Sequence, residues 1–275
     1  MTRLSLWLVC GAVSAGLASA PVGADEPPPR PIRVVCLDVH GTGTAGVAPT
    51  NLLRCLGDRD EFAFRTAAPA EFRGTALEAC DVVVCPGGSG SGQSKLLEAE
   101  GRVAIQEFVR RGGGYVGICA GAYLATSHYP WSLAILDAHV LDTRHWARGT
   151  GSVVLEVSPA GRRLLGIDGD EVDCYYGQGP LLAPGNRDDL PDYEGLATYG
   201  TEIAKNGAPS GVMVGTTAIA AGSFGQGRVI CFSPHPEKTS GLEAVIRRGT
   251  RWAAGRDDGP VLAAEPATAP APTVP

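Results

Sequence analysis

The sequence predicts an α/β domain built on a mainly parallel β-sheet that helices cover on both faces. Over the first half of the chain, short apolar runs rich in Val, Ile and Cys alternate with longer segments of helical periodicity. This alternation is typical of βαβ units, in which each helix returns the chain to the start of the next parallel strand. The 275 residues are 44% hydrophobic and 19% charged, which allows a sizeable packed core.

The expected elements follow one another in a regular order. Strands are expected over residues 32–37, 62–65, 81–85 and 115–118, and helices over 49–56 and 94–111. Three consecutive glycines, at 112–114, end the second helix. After residue 130 strands and turns dominate, with strands expected over residues 153–157, 171–176, 196–204, 211–215, 218–223 and 228–232 and a final helix over 241–254.

The two ends of the chain do not have the composition of a packed core. The N-terminus resembles a secretory signal, with Arg3 before an apolar stretch and a small-residue cleavage site ending at Ala20. We therefore expect an exported protein, periplasmic or extracellular. The expected division is a signal peptide over 1–20, a Pro-rich linker over 21–31, one domain over 32–255 and a disordered Pro/Ala tail over 256–275.

Charge and residue spacing exclude several classes of partner. A net charge of -6 without a basic cluster argues against nucleic-acid binding, and no run after the signal reaches the ~20 apolar residues of a membrane span. The five histidines and eight cysteines show no metal-ligand spacing, so no metal is expected. The expected partner is a small-molecule or peptide-like substrate, and the oligomeric state is left open.

Cys119 is the first candidate catalytic residue. It follows a short apolar strand, lies among small residues in the run Gly117-Ile-Cys-Ala-Gly121, and precedes a helical stretch. This pattern is typical of a nucleophile elbow, in which a sharp strand-to-helix turn exposes one side chain and the helix N-terminus favours a thiolate. The alternative is a small buried core residue, since free cysteine is among the most buried residue types.

His235 and Glu237 supply the two other groups that a catalytic thiol needs. Both lie in Pro234-His-Pro-Glu237, directly after the strand expected over 228–232. A histidine can accept the thiol proton, and a carboxylate can fix the tautomer of that histidine. Cys119, His235 and Glu237 therefore form a candidate triad. Taken alone, His235 would be interpreted as a loop residue between two prolines.

Two glycine-rich segments are candidates for binding roles. Pro86-Gly-Gly-Ser-Gly follows a strand, so the amides of Gly88 and Ala120 are candidates for an oxyanion hole, with a plain turn as the alternative. The run over 41–46 has dinucleotide-binding spacing, but the window around residues 62–67 lacks the required acidic residue. No cofactor is therefore expected.

The cysteine count is odd once the signal is removed. Cleavage would take Cys10 and leave seven cysteines in a compartment that is expected to be oxidising, so at least one thiol stays unpaired. Cys36, Cys85 and Cys231 lie inside strand-like runs and are interpreted as core residues. Cys55, Cys80 and Cys174 could be paired or free.

These motifs together resemble the class I glutamine amidotransferase-like superfamily. The resemblance rests on Pro86-Gly-Gly88, the elbow at Cys119 and the His235 segment. Within the superfamily, the chain is most similar to the family named after the N-terminal domain of biotin-protein ligases. That narrower likeness rests on Cys119-Ala-Gly-Ala-Tyr123, Tyr176-Gly-Gln-Gly-Pro180 and Gly225-Gln-Gly-Arg-Val229. We do not expect a ligase domain.

The resemblance implies a flavodoxin-like three-layer sandwich with Cys119 as nucleophile, His235 as base and Glu237 as its partner. It also implies substrate contacts from Gly87, Tyr123 and Tyr176. Glutamine amidotransferases carry Gln where this chain has Tyr123, and they feed ammonia to a synthase domain or subunit that is not expected here, which argues against glutamine as the substrate.

Three functions fit these residues. The first is an exported cysteine-dependent hydrolase or amidotransferase-like protein that uses the Cys-His-Glu triad on an amide or acyl substrate. The second is a non-catalytic ligand-binding or regulatory module of the same fold. The third is a redox sensor with a resolving cysteine, which the absence of a Cys-x2-Cys pair disfavours.

Overall fold

A computed structural model describes residues 30–39 and 48–256 and shows an α/β protein with one large mixed sheet. The strands are β1 (Ile32–Leu37), β2 (Phe62–Ala67), β3 (Val82–Cys85), β4 (Gly114–Ile118), β5 (Ala138–Leu141), β6 (Gly151–Val157), β7 (Glu171–Tyr176), β8 (Leu181–Pro184), β9 (Glu194–Tyr199), β10 (Thr217–Phe224) and β11 (Gly227–Phe232). The helices are α1 (Ala48–Leu56), α2 (Gly90–Arg110), α3 (Ala120–Ala125), α4 (Pro159–Leu165) and α5 (Glu243–Ala253).

The sheet is parallel in one half and antiparallel in the other. The strand order is β2-β1-β3-β4-β11-β10-β9-β6-β7, with β5 and β8 paired beside β10. Strands β2, β1, β3, β4 and β11 form the parallel half. The ladders beyond β11 are antiparallel. The expected mainly parallel sheet is therefore found only in the first half, because after residue 130 strands are joined by turns and hairpins instead of helical crossovers.

The parallel half buries both of its faces. Along β1, Val34 and Cys36 belong to one core cluster, and Val35 and Leu37 belong to the other. Helices α1 and α5 supply residues to the first cluster, and α2 and α3 supply residues to the second. Burial on both faces explains why these strands are continuous apolar runs instead of alternating patterns.

Some expected elements differ from the structure. Residues 211–215 form turns instead of the expected strand, because Gly211 and Gly215 adopt positive φ angles of 81° and 79° at either end of the apolar run. Strand β9 ends at Tyr199 instead of residue 204. The sequence reasoning missed β5, β8 and α4, which are four, four and seven residues long.

The register of the parallel strands places three chain segments at one edge of the sheet. Cys85 pairs with Gly117, and Phe232 pairs with Ile118. The segments that follow β3, β4 and β11 therefore emerge side by side, which is where ligands bind in open α/β sheets. None of the helices in the described ranges is long and apolar enough to cross a membrane.

Candidate active site

Cys119 forms the turn between β4 and α3. Its φ and ψ are 50° and −98°, a conformation that is uncommon for a residue with a side chain and that clusters at functional sites. Its backbone N–H donates to the carbonyl oxygen of Phe232 at 2.7 Å, which ties the turn to the end of β11. The chain therefore makes the sharp strand-to-helix turn expected at this thiol.

The glycines around the turn are required by close backbone contacts. A Cβ atom at Gly121 would lie 1.9 Å from the carbonyl oxygen of Cys85, and one at Gly117 would lie 2.6 Å from the carbonyl oxygen of Gly121. The buried hydroxyl of Tyr115 donates to the carbonyl oxygen of Gly121 at 2.8 Å. The small residues in the motif thus let α3 pack directly on β3 and β4.

His235 and Glu237 form a buried pair beyond the end of β11. Nδ1 of His235 donates to Oε1 of Glu237 at 2.7 Å, and both side chains are 3% exposed. The backbone N–H of His235 donates to the carbonyl oxygen of Tyr175 at 2.8 Å, and the Thr239 hydroxyl donates to the carbonyl oxygen of His235 at 2.9 Å. These bonds fix the ring, and they leave Nε2 as the nitrogen that is not engaged by Glu237.

The electrostatics of His235 favour its protonated form. Burial alone would lower the pKa of His235, but the neighbouring Cys119, and then the bond and charge of Glu237, raise it to about 10. Oε2 of Glu237 is buried and has no hydrogen-bond partner in the described part of the chain. A buried carboxylate with so few partners is stabilised by a cationic ring. The arrangement therefore suits an imidazolium at His235, next to Cys119.

Gly87 and Gly88 follow β3, and Ala120 follows the thiol at the start of α3. A Cβ atom at Gly87 would lie 2.9 Å from Cε1 of His235 and 3.8 Å from Cβ of Cys119, so only glycine fits between them. Gly88 has a φ of 137°, which a side chain would disfavour. Ala120 is the first residue of α3, so its N–H has no acceptor within the helix.

The loop over 177–179, between β7 and β8, covers the thiol from the antiparallel half of the sheet. Sγ of Cys119 lies 3.5 Å from the carbonyl oxygen of Gly177, to which the thiol form can donate. A Cβ atom at Gly177 would lie 2.6 Å from Nε2 of His235. Gln178 adopts a positive φ of 71°, so a second strained residue faces Cys119 across the site.

The structure assigns different positions to the two tyrosines expected to contact substrate. Tyr123 is half-buried, and its hydroxyl donates to the carbonyl oxygen of Gln178 over a long 3.4 Å. Tyr176 is fully buried, and its hydroxyl donates to the carbonyl oxygen of Gly179 at 2.9 Å. Tyr176 therefore supports the loop from behind. The sequence reasoning missed Gly177, although the Gly-Gln-Gly run after Tyr176 was the signal that could have found it.

An aromatic wall continues outward from the elbow. The Tyr129 and Trp131 rings stack with centroids 4.5 Å apart, and the Tyr123 and Tyr129 centroids are 6.3 Å apart. A Cβ atom at Gly90 would meet Trp131, Tyr123 and the carbonyl oxygen of Ala120 within 3.2 Å. The partly exposed rings thus reach the residue that follows the thiol, where they can contact an apolar part of a ligand.

The other described histidines make contacts of their own. His128 is exposed and stacks on His139, with centroids 6.2 Å apart, and Nδ1 of His145 lies 2.5 Å from Oδ1 of Asp142. Within the described residues, no group of three or more His, Cys, Asp or Glu side chains could hold a metal. His40 and the glycine-rich run over 41–46 lie outside the described residues, as do the expected signal peptide and nearly all of the linker and tail.

The seven described cysteines are all free and buried. Cys55, Cys80 and Cys174, whose pairing the sequence left open, therefore carry free thiols. Burial raises the pKa of Cys55 to about 11 and that of Cys80, Cys85 and Cys174 to about 12. It also raises the pKa of Cys36 and Cys231. These six thiols are in environments that keep them protonated and unreactive.

A comparison with protein families confirms the resemblance seen in the sequence. The family model described as "Biotin-protein ligase, N terminal" matches residues 75–148. This span includes Gly87, Gly88, Cys119, Ala120 and Tyr123. Among curated proteins, an uncharacterized protein of Chlamydia muridarum is 40% identical over 52 residues, which is 19% of this chain and 20% of that protein. The match thus spans about a fifth of the length of that relative.

Solved structures extend the likeness to most of the chain. PurLQS from Thermotoga maritima matches with a TM-score of 0.56 and 14% identity over 81% of this chain and 99% of that chain. A candidate ThuA-like protein from Bacteroides uniformis matches with a TM-score of 0.55 and 15% identity over 87% of this chain and 97% of that chain. A candidate GMP synthase subunit from Thermoplasma acidophilum matches with a TM-score of 0.52 and 14% identity over 82% of this chain and 96% of that chain. The fold is therefore similar to that of glutamine amidotransferases.

Proposed function

We propose that the protein is an exported, cysteine-dependent hydrolase or amidotransferase-like enzyme that acts on an amide or acyl substrate. The observation that carries this proposal is the arrangement at Cys119, where the strained turn and the buried ring of His235 meet at Gly87 and His235 donates to Glu237. A nucleophile, a base and an orienting carboxylate in this order are the parts of an acyl-transfer site. The proposal takes the domain as a flavodoxin-like three-layer sandwich, in keeping with helices on both faces of its parallel half.

The chemistry follows from the roles that these groups can fill. The Cys119 sulfur attacks the substrate carbonyl carbon and forms a C–S bond, while the thiol proton resides on His235. The oxyanion accepts bonds from the amides of Gly88 and Ala120. As the C–N or C–O bond breaks, His235 gives its proton to the leaving group. Water, deprotonated by His235, then hydrolyses the thioester and restores the thiol.

The decisive experiment is labelling of the thiols with iodoacetamide, read by intact mass and peptide mapping. Cys119 should react rapidly and stoichiometrically in the native protein, and Cys119→Ala should abolish the fast reaction. Cys80→Ala is the matched control, because Cys80 is 7% exposed and Cys119 is 5% exposed. Since burial raises the pKa of Cys80 to about 12, its removal should leave the fast labelling unchanged.

Turnover is tested on a panel of amides, esters and thioesters, with Cys119→Ala beside the wild type. Hydrolysis that depends on Cys119 supports the enzyme. Labelling of Cys119 no faster than that of Cys80 would contradict the proposal. A ligand that binds equally well to wild type and Cys119→Ala, without any turnover, would favour the non-catalytic binding module.

Export is tested separately by expressing the full chain in a bacterium and sequencing the N-terminus of the periplasmic or secreted product. A mature protein that begins near Pro21 is expected from the cleavage site. A product that stays in the cytoplasm with an intact Met1 would overturn this part of the proposal.

A further inference from the structure

Arg148 is a buried cation with an unused hydrogen-bonding group. Its side chain is 1% exposed, and Nη2 donates to Oδ2 of Asp142. Nη1 is buried and has no hydrogen-bond partner within the described residues. A guanidinium keeps its charge at every physiological pH, and a buried donor without a partner is rare enough to need an explanation.

The strand registers place Arg148 beside the loop that covers Cys119. Gly151, at the start of β6, pairs with Tyr176, at the end of β7, and the two strands are antiparallel. The residues just before Gly151 therefore run alongside the loop over 177–179. Leu141 pairs with Leu181, so Asp142 lies beside the other end of the same loop. The Asp142–Arg148 pair thus flanks the loop to which the Cys119 thiol and Tyr123 both bond.

Tyr123 and Tyr176 both donate to the loop over 177–179, which lies beside the thiol and the cation. Burial is the main cause that raises the pKa of both Tyr123 and Tyr176, Cys119 adds to the rise and Arg148 opposes it. Both rings therefore lie within electrostatic reach of both groups. Tyr123 is half-buried with a long hydroxyl contact of 3.4 Å, so it is the side chain that a ligand reaching from Cys119 towards Arg148 would meet.

Asp142 leaves the cation only partly neutralised. Oδ2 of Asp142 accepts a hydrogen bond from Nη2 of Arg148, and Oδ1 lies 2.5 Å from Nδ1 of His145. The carboxylate is therefore shared between two partners. The Tyr199 ring packs edge-to-face on Tyr176, and its buried hydroxyl also has no partner among the described residues. The guanidinium itself thus offers an unused hydrogen-bond donor and a positive charge to an anion.

We propose that Nη1 of Arg148 binds a carboxylate of the substrate whose acyl group reacts at Cys119. The planar guanidinium matches a carboxylate in geometry and charge, and such charge-assisted bonds are the stronger kind. This inference rests on the proposed function, because it names the class of substrate for the same site. Asp142 is the residue that holds the guanidinium in position.

The test uses iodoacetyl-amino acids of increasing chain length, from iodoacetyl-glycine to iodoacetyl-aminohexanoate, and the matching neutral carboxamides. Cys119 attacks the methylene carbon, a C–S bond forms and iodide leaves, so the labelling rate reports how well each probe binds. At one chain length, the carboxylate probe should label Cys119 about tenfold or more faster than its carboxamide. Equal rates at every chain length in the wild-type protein would overturn the proposal.

Arg148→Gln should abolish this preference and leave the rate with plain iodoacetamide unchanged. If Arg148→Gln does not fold, Arg148→Lys is the second variant. It keeps the charge and should retain part of the preference for the carboxylate probe. Arg144→Gln is the control, because Arg144 is exposed in the same segment and its removal changes the net charge equally. A preference that persists in a folded Arg148→Gln, or that Arg144→Gln also abolishes, would refute the role of Arg148.

These outcomes separate the two proposals. If iodoacetamide fails to label Cys119 in the wild type, the enzymatic function fails. If iodoacetamide labels Cys119 rapidly but the carboxylate preference is absent, only the carboxylate site fails. A loss of stability in Arg148→Gln with an unchanged preference would make Arg148 a purely structural residue and would also overturn the inference.

Discussion

The two halves of the sheet meet the candidate site in different ways. In the parallel half, β3, β4 and β11 each end in a short segment that delivers one functional group, namely the glycines at 87–88, the thiol of Cys119 and the His235–Glu237 pair. The antiparallel half contributes the loop over 177–179 and, beside it, the Asp142–Arg148 pair. The first half holds groups that can react, and the second holds groups that can enclose and select.

Substitutions in the two halves should therefore have different effects. Changes at the ends of the parallel strands should alter the rate of thiol chemistry with little effect on probe selectivity. Changes in the antiparallel half should alter the contact between the loop over 177–179 and the end of β11, the selectivity for probes, or the free energy of unfolding. Four variants test this division.

The largest effect is expected for His235→Gln. Loss of the base should slow iodoacetamide labelling of Cys119 by about 10²-fold or more near neutral pH, because the thiol proton has no acceptor. The difference in labelling rate between the wild type and the variant should narrow above pH about 8.5, where an isolated cysteine ionises without a base. Stopped-flow or mass-resolved labelling across pH measures both. His128→Gln, at an exposed ring, is the control, and an unchanged rate in His235→Gln would remove His235 from the chemistry.

The next effect is the loss of stability in Gly179→Ala. A Cβ atom there would lie 1.8 Å from the carbonyl oxygen of Ser233, so the alanine forces the loop away from the end of β11. We expect a fall of about 3 kcal/mol in the free energy of unfolding, measured by urea denaturation. Gly74→Ala is the control, since a Cβ atom at Gly74 meets nothing within 4 Å. Equal free energies of unfolding for the two variants would show that the loop can move away from Ser233 at little cost.

A smaller, pH-dependent effect is expected for Glu237→Gln. Burial opposes protonation of His235, whereas Cys119 and Glu237 raise its pKa to about 10. The wild-type ring should therefore stay protonated until the pH approaches 10, and the variant ring should lose its proton at a lower pH. Histidine NMR measures this titration directly, with Glu100→Gln on the exposed face of α2 as the control. An unshifted titration would show that Glu237 only positions the ring.

The smallest effect is expected for Tyr199→Phe. The Tyr199 hydroxyl is buried without a partner in the described part of the chain. Its removal should therefore leave the free energy of unfolding unchanged or raise it by up to about 1 kcal/mol. Tyr176→Phe is the matched comparison, since it breaks the 2.9 Å bond to Gly179 and should cost about 1 kcal/mol. A loss in Tyr199→Phe as large as that in Tyr176→Phe would show that the Tyr199 hydroxyl is bonded in solution.

The same division explains how much the sequence could predict. Cys119, Gly88 and His235 each closely follow an apolar strand, and parallel strands bring their carboxyl ends to one edge, so periodicity places these residues together. Small residues around Cys119 signalled the turn because a side chain at Gly121 would collide with the backbone of Cys85. The alternation of strands and helices likewise predicted the parallel half of the sheet.

The antiparallel half could not be predicted in the same way. Whether Arg148 lies near Cys119 depends on the register between β6 and β7, which no local pattern specifies. The run over 211–215 contains three consecutive apolar residues, two of them valines, as a short buried strand would, yet the glycines at its ends turn the chain instead. Strands β5 and β8, of four residues each, are too short to show a period.

Within the described ranges, the six buried cysteines other than Cys119 can each report local unfolding. Each is shut off from solvent at its own place in the fold, with Cys36 in β1, Cys55 in α1 and Cys174 in β7 among them. A thiol reagent can modify such a residue only when its element opens. Once Cys119 has been blocked, the modification rates of the others would map the local opening free energies from strand to strand without any added label.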